Sequence, residues 1–234
     1  ASQIYLVDGG DALLSPMSKE SQEDTLEAIT QLGVVVKLNT RVIDYKEDTV
    51  YFANGETIQT KNLIWAAGVT AKQFDGIPAE SYGRGKRMIT DAYNKITTTQ
   101  NIYAIGDTCI QFSDVNFPEG HPQVAQVAIQ QGINLAENFK AMLQNKILNP
   151  FKYNDKGSMA IIGKNKAVVD LPYNKMHFKG FFAWIIWLFV HLLSLITYRN
   201  RINTFYNWMI AYFSKDQSLR MIIRPEKRKK GEAA

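Results

Sequence analysis

A chain of 234 residues with 46% apolar and 21% charged side chains has the composition of one large or two small globular domains, which excludes disordered and collagen-like chains. One cysteine (Cys109) and three histidines (His121, His177 and His191) exclude a disulfide framework and a thiolate- or histidine-rich metal centre within the chain. The net charge of +5 is unevenly placed: residues 1–198 hold 18 Lys and Arg against 19 Asp and Glu, whereas the last 36 hold nine against three.

Residues 4–7 (IYLV) predict a buried strand ending at the turn cluster Asp8-Gly9-Gly10. No basic leader precedes this stretch and it is too short for a secretory core, so no signal peptide is expected. Residues 18–32 predict a helix, with Ser18 as its cap, Glu20, Glu23 and Asp24 in its early turns, and Gly33 as its stop. Short strands follow at 34–38, 41–46 and 49–52, the last two joined at Glu47-Asp48. Asn54-Gly55 marks a turn, and residues 62–66 (NLIWA) predict another buried strand running to Gly68. Residues 69–90 are looser. A strand at 101–105 (NIYAI) leads into Gly106-Asp107, and after a loop with Pro118 and Pro122 the clearest helical pattern spans 123–143. Strands at 158–162 and 166–171 predict a hairpin turning at 163–165.

The most apolar stretch, residues 181–196 (FFAWIIWLFVHLLSLI), falls short of the about 18 uninterrupted apolar residues of a spanning helix. As a helix it puts Trp184, Trp187, His191, Ser194 and Tyr198 on one stripe. Residues 202–213 (INTFYNWMIAYF) repeat the theme with Asn203 and Asn207 on a polar face. Two amphipathic helices, with Arg199, Arg201, Arg220 and Arg224 nearby and the basic tail 224–230 (RPEKRKK), suit attachment to one membrane leaflet. The alternative is that both helices pack inside a soluble fold or a dimer interface. Nucleic acid is the poorer partner, because the aromatics lie in helical apolar stripes rather than on a basic sheet.

Three segments carry chemistry. Asp8 is an acid at the carboxyl end of a strand, where a dinucleotide fold accepts hydrogen bonds from a ribose; no G-x-G-x-x-G occurs in the chain, so an ordinary turn aspartate stays open. In residues 102–107 (IYAIGD) a glycine permits close backbone approach and a carboxylate is placed to grip a polyol, although Gly-Asp is also common in turns. Residues 125–132 (AQVAIQQG) open a helix with electron-poor N–H groups and small side chains. Gln126 and Gln130, four apart on one face, donate to a carbonyl without ionising; the alternative is two solvated glutamines.

Taken together, the segments WAAGV, IYAIGD, AQVAIQQG and KGFFAWIIWLFVHL…YRNR resemble the type II NADH:quinone oxidoreductases, which are single-subunit, FAD-containing, membrane-attached flavoproteins. The resemblance implies an α/β chain holding portions of two Rossmann-like dinucleotide-binding domains of the FAD/NAD-linked reductase type, followed by C-terminal amphipathic membrane-associating helices. Residues 1–68 then correspond to the second half of the NADH-binding domain. Residues 69–172 correspond to the C-terminal part of the FAD-binding domain with the quinone-site helix and hairpin, and residues 173–234 to the anchoring helices and basic tail. The resemblance places Asp8, Ala67 and Gly68 at NADH; Gly106, Asp107, Ala125, Gln126 and Val127 at FAD; and Gln126, Gln130, Lys179 and Phe182 at the quinone.

No catalytic side chain and no metal are implied, because the flavin carries the redox chemistry. The implied partners are a membrane quinone, the bilayer surface and the N-terminal half of the same enzyme, which holds both glycine-rich phosphate loops; a homodimer is open. Hydride would pass from NADH to FAD and two electrons on to the quinone, without proton pumping, on the cytoplasmic face of the inner or cytoplasmic membrane. The 234 residues alone are expected to bind FAD poorly and to lack turnover. A sulfide:quinone oxidoreductase would need a redox cysteine pair, and Cys109 stands alone. A soluble disulfide or ferredoxin reductase would lack the Trp-rich basic helices. A non-catalytic membrane-binding or dimerisation module of a split flavoprotein is the reading from a different class.

Overall fold

The computed structural model describes residues 3–172 and 176–214, so Arg220 and the basic tail at 224–230 lie outside the described residues. In chain order the elements are β1 (Ile4–Val7), α1 (Lys19–Gln31), β2 (Val34–Lys37), β3 (Val42–Lys46), β4 (Thr49–Phe52), β5 (Thr57–Gln59), β6 (Met88–Thr90) and β7 (Cys109–Gln111). They continue with α2 (Ala125–Leu143), β8 (Ser158–Gly163), β9 (Lys166–Leu171), β10 (Met176–Lys179), α3 (Gly180–Ser194) and α4 (Tyr198–Ser214). Cα proximity divides the chain into two compact units: residues 1–59 with 157–234, and residues 60–156.

In the first unit β1 and β2 run parallel, from Ile4 opposite Val34 to Val7 opposite Lys37, and α1 connects them. The Ser18 hydroxyl caps α1 by accepting the Ser21 N–H at 3.1 Å. At the other end Gly33, with φ +83°, reverses the chain in a conformation that side chains with a Cβ resist. The strand at 4–7 forms, but it is not the buried one predicted: Ile4 is 64% exposed, because β2 is its one partner strand among the described residues. Strands β3, β4 and β5 form an antiparallel meander. Its first turn is Glu47-Asp48, both left-handed at φ 50° and 58°, the backbone of a type I′ hairpin turn. The third strand, β5, was not predicted; its three residues are too few to show a pattern and are placed by pairing with β4.

Strands β8, β9 and β10 make a second antiparallel sheet with β9 in the middle. Ala167, Val168 and Val169 of β9 are fully buried, and α3 lays Ala183 against the sheet with Trp184 and Ile186 packed alongside. Small residues at this contact let the helix and sheet backbones approach closely. The helix ends at Ser194, and Leu195 is extended at φ −66°, ψ 134°. Tyr198 therefore opens α4 and does not continue the Trp184–Trp187–His191 stripe, which corrects the expectation of one uninterrupted face. Trp187 and His191 stack with centroids 3.8 Å apart, and the Lys164 ammonium lies 4.3 Å above the Tyr212 ring.

The second unit pairs β6 with β7 in parallel, Met88 opposite Cys109. One cluster gathers Met88, Ile96, Ala104 and Cys109; another gathers Val127, Phe151 and Tyr153 with Phe117. Two predicted strands are corrected here. Residues 62–66 form no strand and lie at the surface, with Ile64 89% and Trp65 65% exposed. Among the described residues no strand pairs with them, and an extended apolar run with no partner ladder has nothing to bury against. Residues 101–105 likewise form no strand, only an isolated bridge between Lys95 and Tyr103, with the Ile96 N–H bonded to the Ile102 carbonyl and the Ala104 N–H to the Asn94 carbonyl.

Candidate functional site

The chain around Gly106 is a tightly constrained polar corner of the second unit. Gly106 is buried, sits at φ +65° and opens a single 3-10 turn over Gly106–Thr108. A Cβ there would stand 3.0 Å from the Ala128 Cβ in the first turns of α2, so the turn and the helix meet because both residues are small. The Gly106 N–H donates to Gln131 Oε1 at 2.6 Å, and Gln123 Nε2 donates to the Asp107 carbonyl at 3.2 Å. The Asp107 side chain is exposed beside this contact. Helix α2 begins at Ala125 after Val124, an N-cap whose side chain makes no capping bond, so its N-terminal N–H groups are not spent on a cap side chain.

Gly106, Asp107, Ala125, Gln126 and Val127 thus fall within one turn-and-helix corner, and the residues present fit the FAD that the resemblance implies. An exposed carboxylate, held beside a helix start with no cap side chain by the close Gly106–Ala128 packing, is what a polyol and an anion need.

The remaining predicted residues are distributed over both units. Asp8 ends β1 in solvent, with Oδ1 accepting the Gly10 N–H at 2.8 Å. Ala67 and Gly68 lie in the exposed segment of the second unit, Gly68 at φ +87° with open space around it. Gln130 Nε2 donates to the Asn154 carbonyl, and its Oε1 accepts the Asn154 N–H, both at 3.0 Å. Gln126 and Gln130 belong to one compact unit, and Lys179 and Phe182 to the other. Lys179, the N-cap of α3, donates to Asp24 Oδ1 at 2.8 Å, and Phe182 is 75% exposed.

Three polar groups escaped the sequence reading. Gln131 is fully buried and holds the Gly106 amide; its signal was position, since Val127, Gln131, Leu135 and Asn138 form the buried stripe of α2 at helical spacing. Arg87 is buried, with Nε on the Cys109 carbonyl at 2.7 Å and Nη2 on the His121 carbonyl at 3.1 Å. Burial pushes its pKa down from the usual arginine value. Asp114 and His121 form a buried pair at 3.0 Å among Phe117, Phe151 and Tyr153. Burial raises the Asp114 pKa, but bonds from His121 and from the Tyr153 and Asn116 amides outweigh it and hold the carboxyl below its ordinary value. Burial raises the Cys109 thiol, which also lies against Gly106 and Gln131, so this sulfur is an inert core group.

The pyridine nucleotide-disulphide oxidoreductase profile matches residues 1–132, more than half of the chain, and the chain belongs to that family. Residues 156–216 match a second profile, the NDH2 C-terminal domain. The type II NADH:quinone oxidoreductase NdhA of Mycobacterium tuberculosis is 31% identical over 226 residues, covering 91% of this chain and 46% of that protein. The internal alternative NAD(P)H-ubiquinone oxidoreductase A1 of Arabidopsis thaliana mitochondria is 27% identical, covering 92% of this chain and 45% of that protein.

Among solved structures, NDH2 from Plasmodium falciparum in complex with NADH superposes with a TM-score of 0.78 at 19% identity, over 90% of this chain and 58% of that one; at this identity the likeness carries the fold. The chain spans about half the length of the curated relatives it matches. The resemblance to type II NADH:quinone oxidoreductases and the α/β dinucleotide-binding class read from the sequence are both borne out.

Proposed function

We propose that this chain is the part of a respiratory flavoprotein that closes around the flavin and meets the quinone, in an enzyme that oxidises NADH and reduces a membrane quinone without pumping protons. The observation that carries the reading is the Gly106–Ala128 contact, which sets an exposed carboxylate beside an uncapped helix start within a chain of the pyridine nucleotide-disulphide oxidoreductase family. FAD, when bound, supplies the two-electron chemistry, and the protein supplies binding and orientation. In this reading Asp107 accepts hydrogen bonds from the ribityl hydroxyls, while the helix start at Ala125, Gln126 and Val127 lies beside the ring, with Val127, its N–H bonded to the Val124 carbonyl and its side chain in the core, holding that backbone in place. Asp8 accepts from the ribose of NADH, and Ala67 and Gly68 line the nicotinamide side. The two glycine-rich phosphate loops are assigned to a companion N-terminal portion.

The test is Asp107→Ala. The holoenzyme is expected to lose flavin on gel filtration, with NADH oxidation restored by added FAD; flavin retained at full stoichiometry would refute the assignment.

Gln126 and Gln130 of α2, and by themselves Lys179 and Phe182 at the start of α3, are assigned to the quinone. An amide nitrogen carries two N–H groups, so Gln130 retains one donor for a quinone carbonyl after bonding Asn154. In Gln130→Ala the KM for quinone is expected to rise about tenfold, while bleaching of the flavin band by NADH keeps its rate; equal losses in both half-reactions would remove Gln130 from the pocket.

No helix among the described residues is long and apolar enough to cross a membrane. Helices α3 and α4, with Ile196 between them, leave Phe182, Phe189, Phe205, Tyr206 and Phe213 exposed, which supports monotopic attachment to a membrane surface; the cytoplasmic face and the lipid-soluble quinone belong to the same proposal.

A further inference from the structure

Asp24 of α1 serves two partners, one on each oxygen. Lys179 Nζ donates to Oδ1 at 2.8 Å, and His177 Nε2 lies 2.8 Å from Oδ2. On its other side, His177 Nδ1 lies 3.0 Å from Asp170 Oδ1. Asp170 is fixed in turn by the Ser18 N–H at 2.7 Å and by the hydroxyls of Ser18 and Ser21 at 2.9 and 2.8 Å. Lys179, Asp24, His177 and Asp170 thus form a hydrogen-bonded row of alternating charge that ties α1 to β9 and β10. A neutral imidazole has one N–H and points a lone pair at whatever faces its other nitrogen. With a carboxylate at hydrogen-bond distance from each nitrogen, the row closes only when His177 carries both protons.

We propose that this row positions the Lys179 ammonium at the start of α3, making Asp24 and His177 positioning residues for the quinone. The proposal rests on the assignment of Lys179 to the quinone pocket made above. The groups facing His177 are Asp24, Ser18 and Ser21 of α1, Asp170 of β9, and Lys179 of β10 through Asp24; Glu27 of α1 adds its charge to Lys179. Helix α3, which packs on β10, contains no Asp, Glu, Lys or Arg, and its His191 is bonded to the Trp187 carbonyl.

Burial pushes the His177 imidazole down, but its bonds to Asp24 and Asp170 outweigh this and hold it above the ordinary histidine value. Burial raises Asp24 and Asp170; for Asp24 the bonds from Lys179 and His177 prevail, and for Asp170 those from Ser18, His177 and Ser21 prevail, so both carboxyls lie below their ordinary value. The row is therefore complete between these limits. It opens as pH rises through the raised His177 value, because one aspartate then loses its bond from His177 while keeping those from Lys179 or from Ser18 and Ser21, and it opens as pH falls through the depressed Asp24 and Asp170 values.

The chain has three histidines, so the His177 ring signal is assignable in a carbon-edited NMR titration by its loss in His177→Gln. His177 is expected to titrate above a free imidazole and to fall back in Asp170→Asn and in Asp24→Asn; an ordinary titration in the parent chain overturns the row. In the FAD-loaded enzyme, Asp24→Asn is expected to raise the KM for a short-chain ubiquinone about threefold or more, with a smaller change in kcat. The parent KM should rise with pH through the His177 titration, the Asp24→Asn KM should not, and Asp24→Glu should recover part of the difference. A KM that keeps its value and pH profile in Asp24→Asn removes the positioning role. Unaltered quinone kinetics in Lys179→Ala refute the quinone assignment itself, whatever the histidine titration shows.

Discussion

Asp114→Ala is expected to cost about 2–4 kcal/mol of unfolding free energy, the order for leaving several buried donors without their acceptor. The size follows from what the carboxylate holds. Its Oδ2 takes both His121 Nε2 and the Tyr153 N–H at 3.0 Å, and its Oδ1 takes the Asn116 N–H at 3.1 Å. The side chains of both Asp114 and His121 are almost wholly removed from water, so the donors left behind find no solvent to replace the carboxylate. The loss should appear as a lower urea midpoint at neutral pH. Because the folded Asp114 pKa is depressed, its contribution is present above the unfolded-state value of about 3.9 and is lost as pH falls through the folded value. The gap between the parent and Asp114→Asn should therefore narrow in acid. A gap that is constant with pH would mean the pair contributes packing and no charge.

Gly106→Ala carries the second large effect, and it acts on the cofactor corner as well as on stability. An alanine at φ +65° costs about 1–2 kcal/mol in backbone conformation, and its Cβ meets the Ala128 Cβ at 3.0 Å. Relief of that contact by shifting the turn would stretch the 2.6 Å bond from the Gly106 N–H to Gln131 Oε1. The expected result is a loss of about 2–3 kcal/mol and a flavin content well below that of the parent holoenzyme. Ala128→Gly opens the space on the helix side at about 1 kcal/mol of helix propensity. The double variant should then be less destabilised than the two single variants summed. Simple additivity would show that the Gly106–Ala128 approach is not what holds the corner.

The parts of the fold legible in the sequence are those decided within a few residues. Ser18 and Gly33 bracket α1, Glu47-Asp48 turns the β3–β4 hairpin, and the α3 and α4 segments announce themselves by apolar content. Residues 62–66 and 101–105 read as strands for the same local reason and are not strands, because a ladder needs a partner that composition does not reveal. The Gly106-Asp107 corner was legible as two adjoining motifs, and the structure joins them through Ala128 and Gln131. Gln131 itself was hidden by chemistry: a glutamine on the apolar stripe of α2 looks like a solvated side chain until its acceptor meets the glycine amide. The Asp24–His177 and Asp24–Lys179 contacts span 153 and 155 positions, so no spacing in the sequence announces them. Buried Asp114 and His121, only seven apart, lie in a loop whose Pro and Gly content conceals how deeply it is packed.

The aromatic crowding of the C-terminal helices gives the protein a built-in optical probe. Of its four tryptophans, Trp184 and Trp187 lie on α3, Trp208 lies on α4 with its ring 6.3 Å from that of Trp187, and Trp65 lies in the exposed segment of the second unit. Indole emission shifts to shorter wavelength as the ring leaves water, so any event that covers α3 and α4 will colour the intrinsic fluorescence, whereas β1 and the turn at Asp8 carry no tryptophan. With Trp65 replaced by phenylalanine, every remaining emitting indole would belong to the helix pair. Lipid vesicles and nucleotide could then be told apart by light alone, without a label.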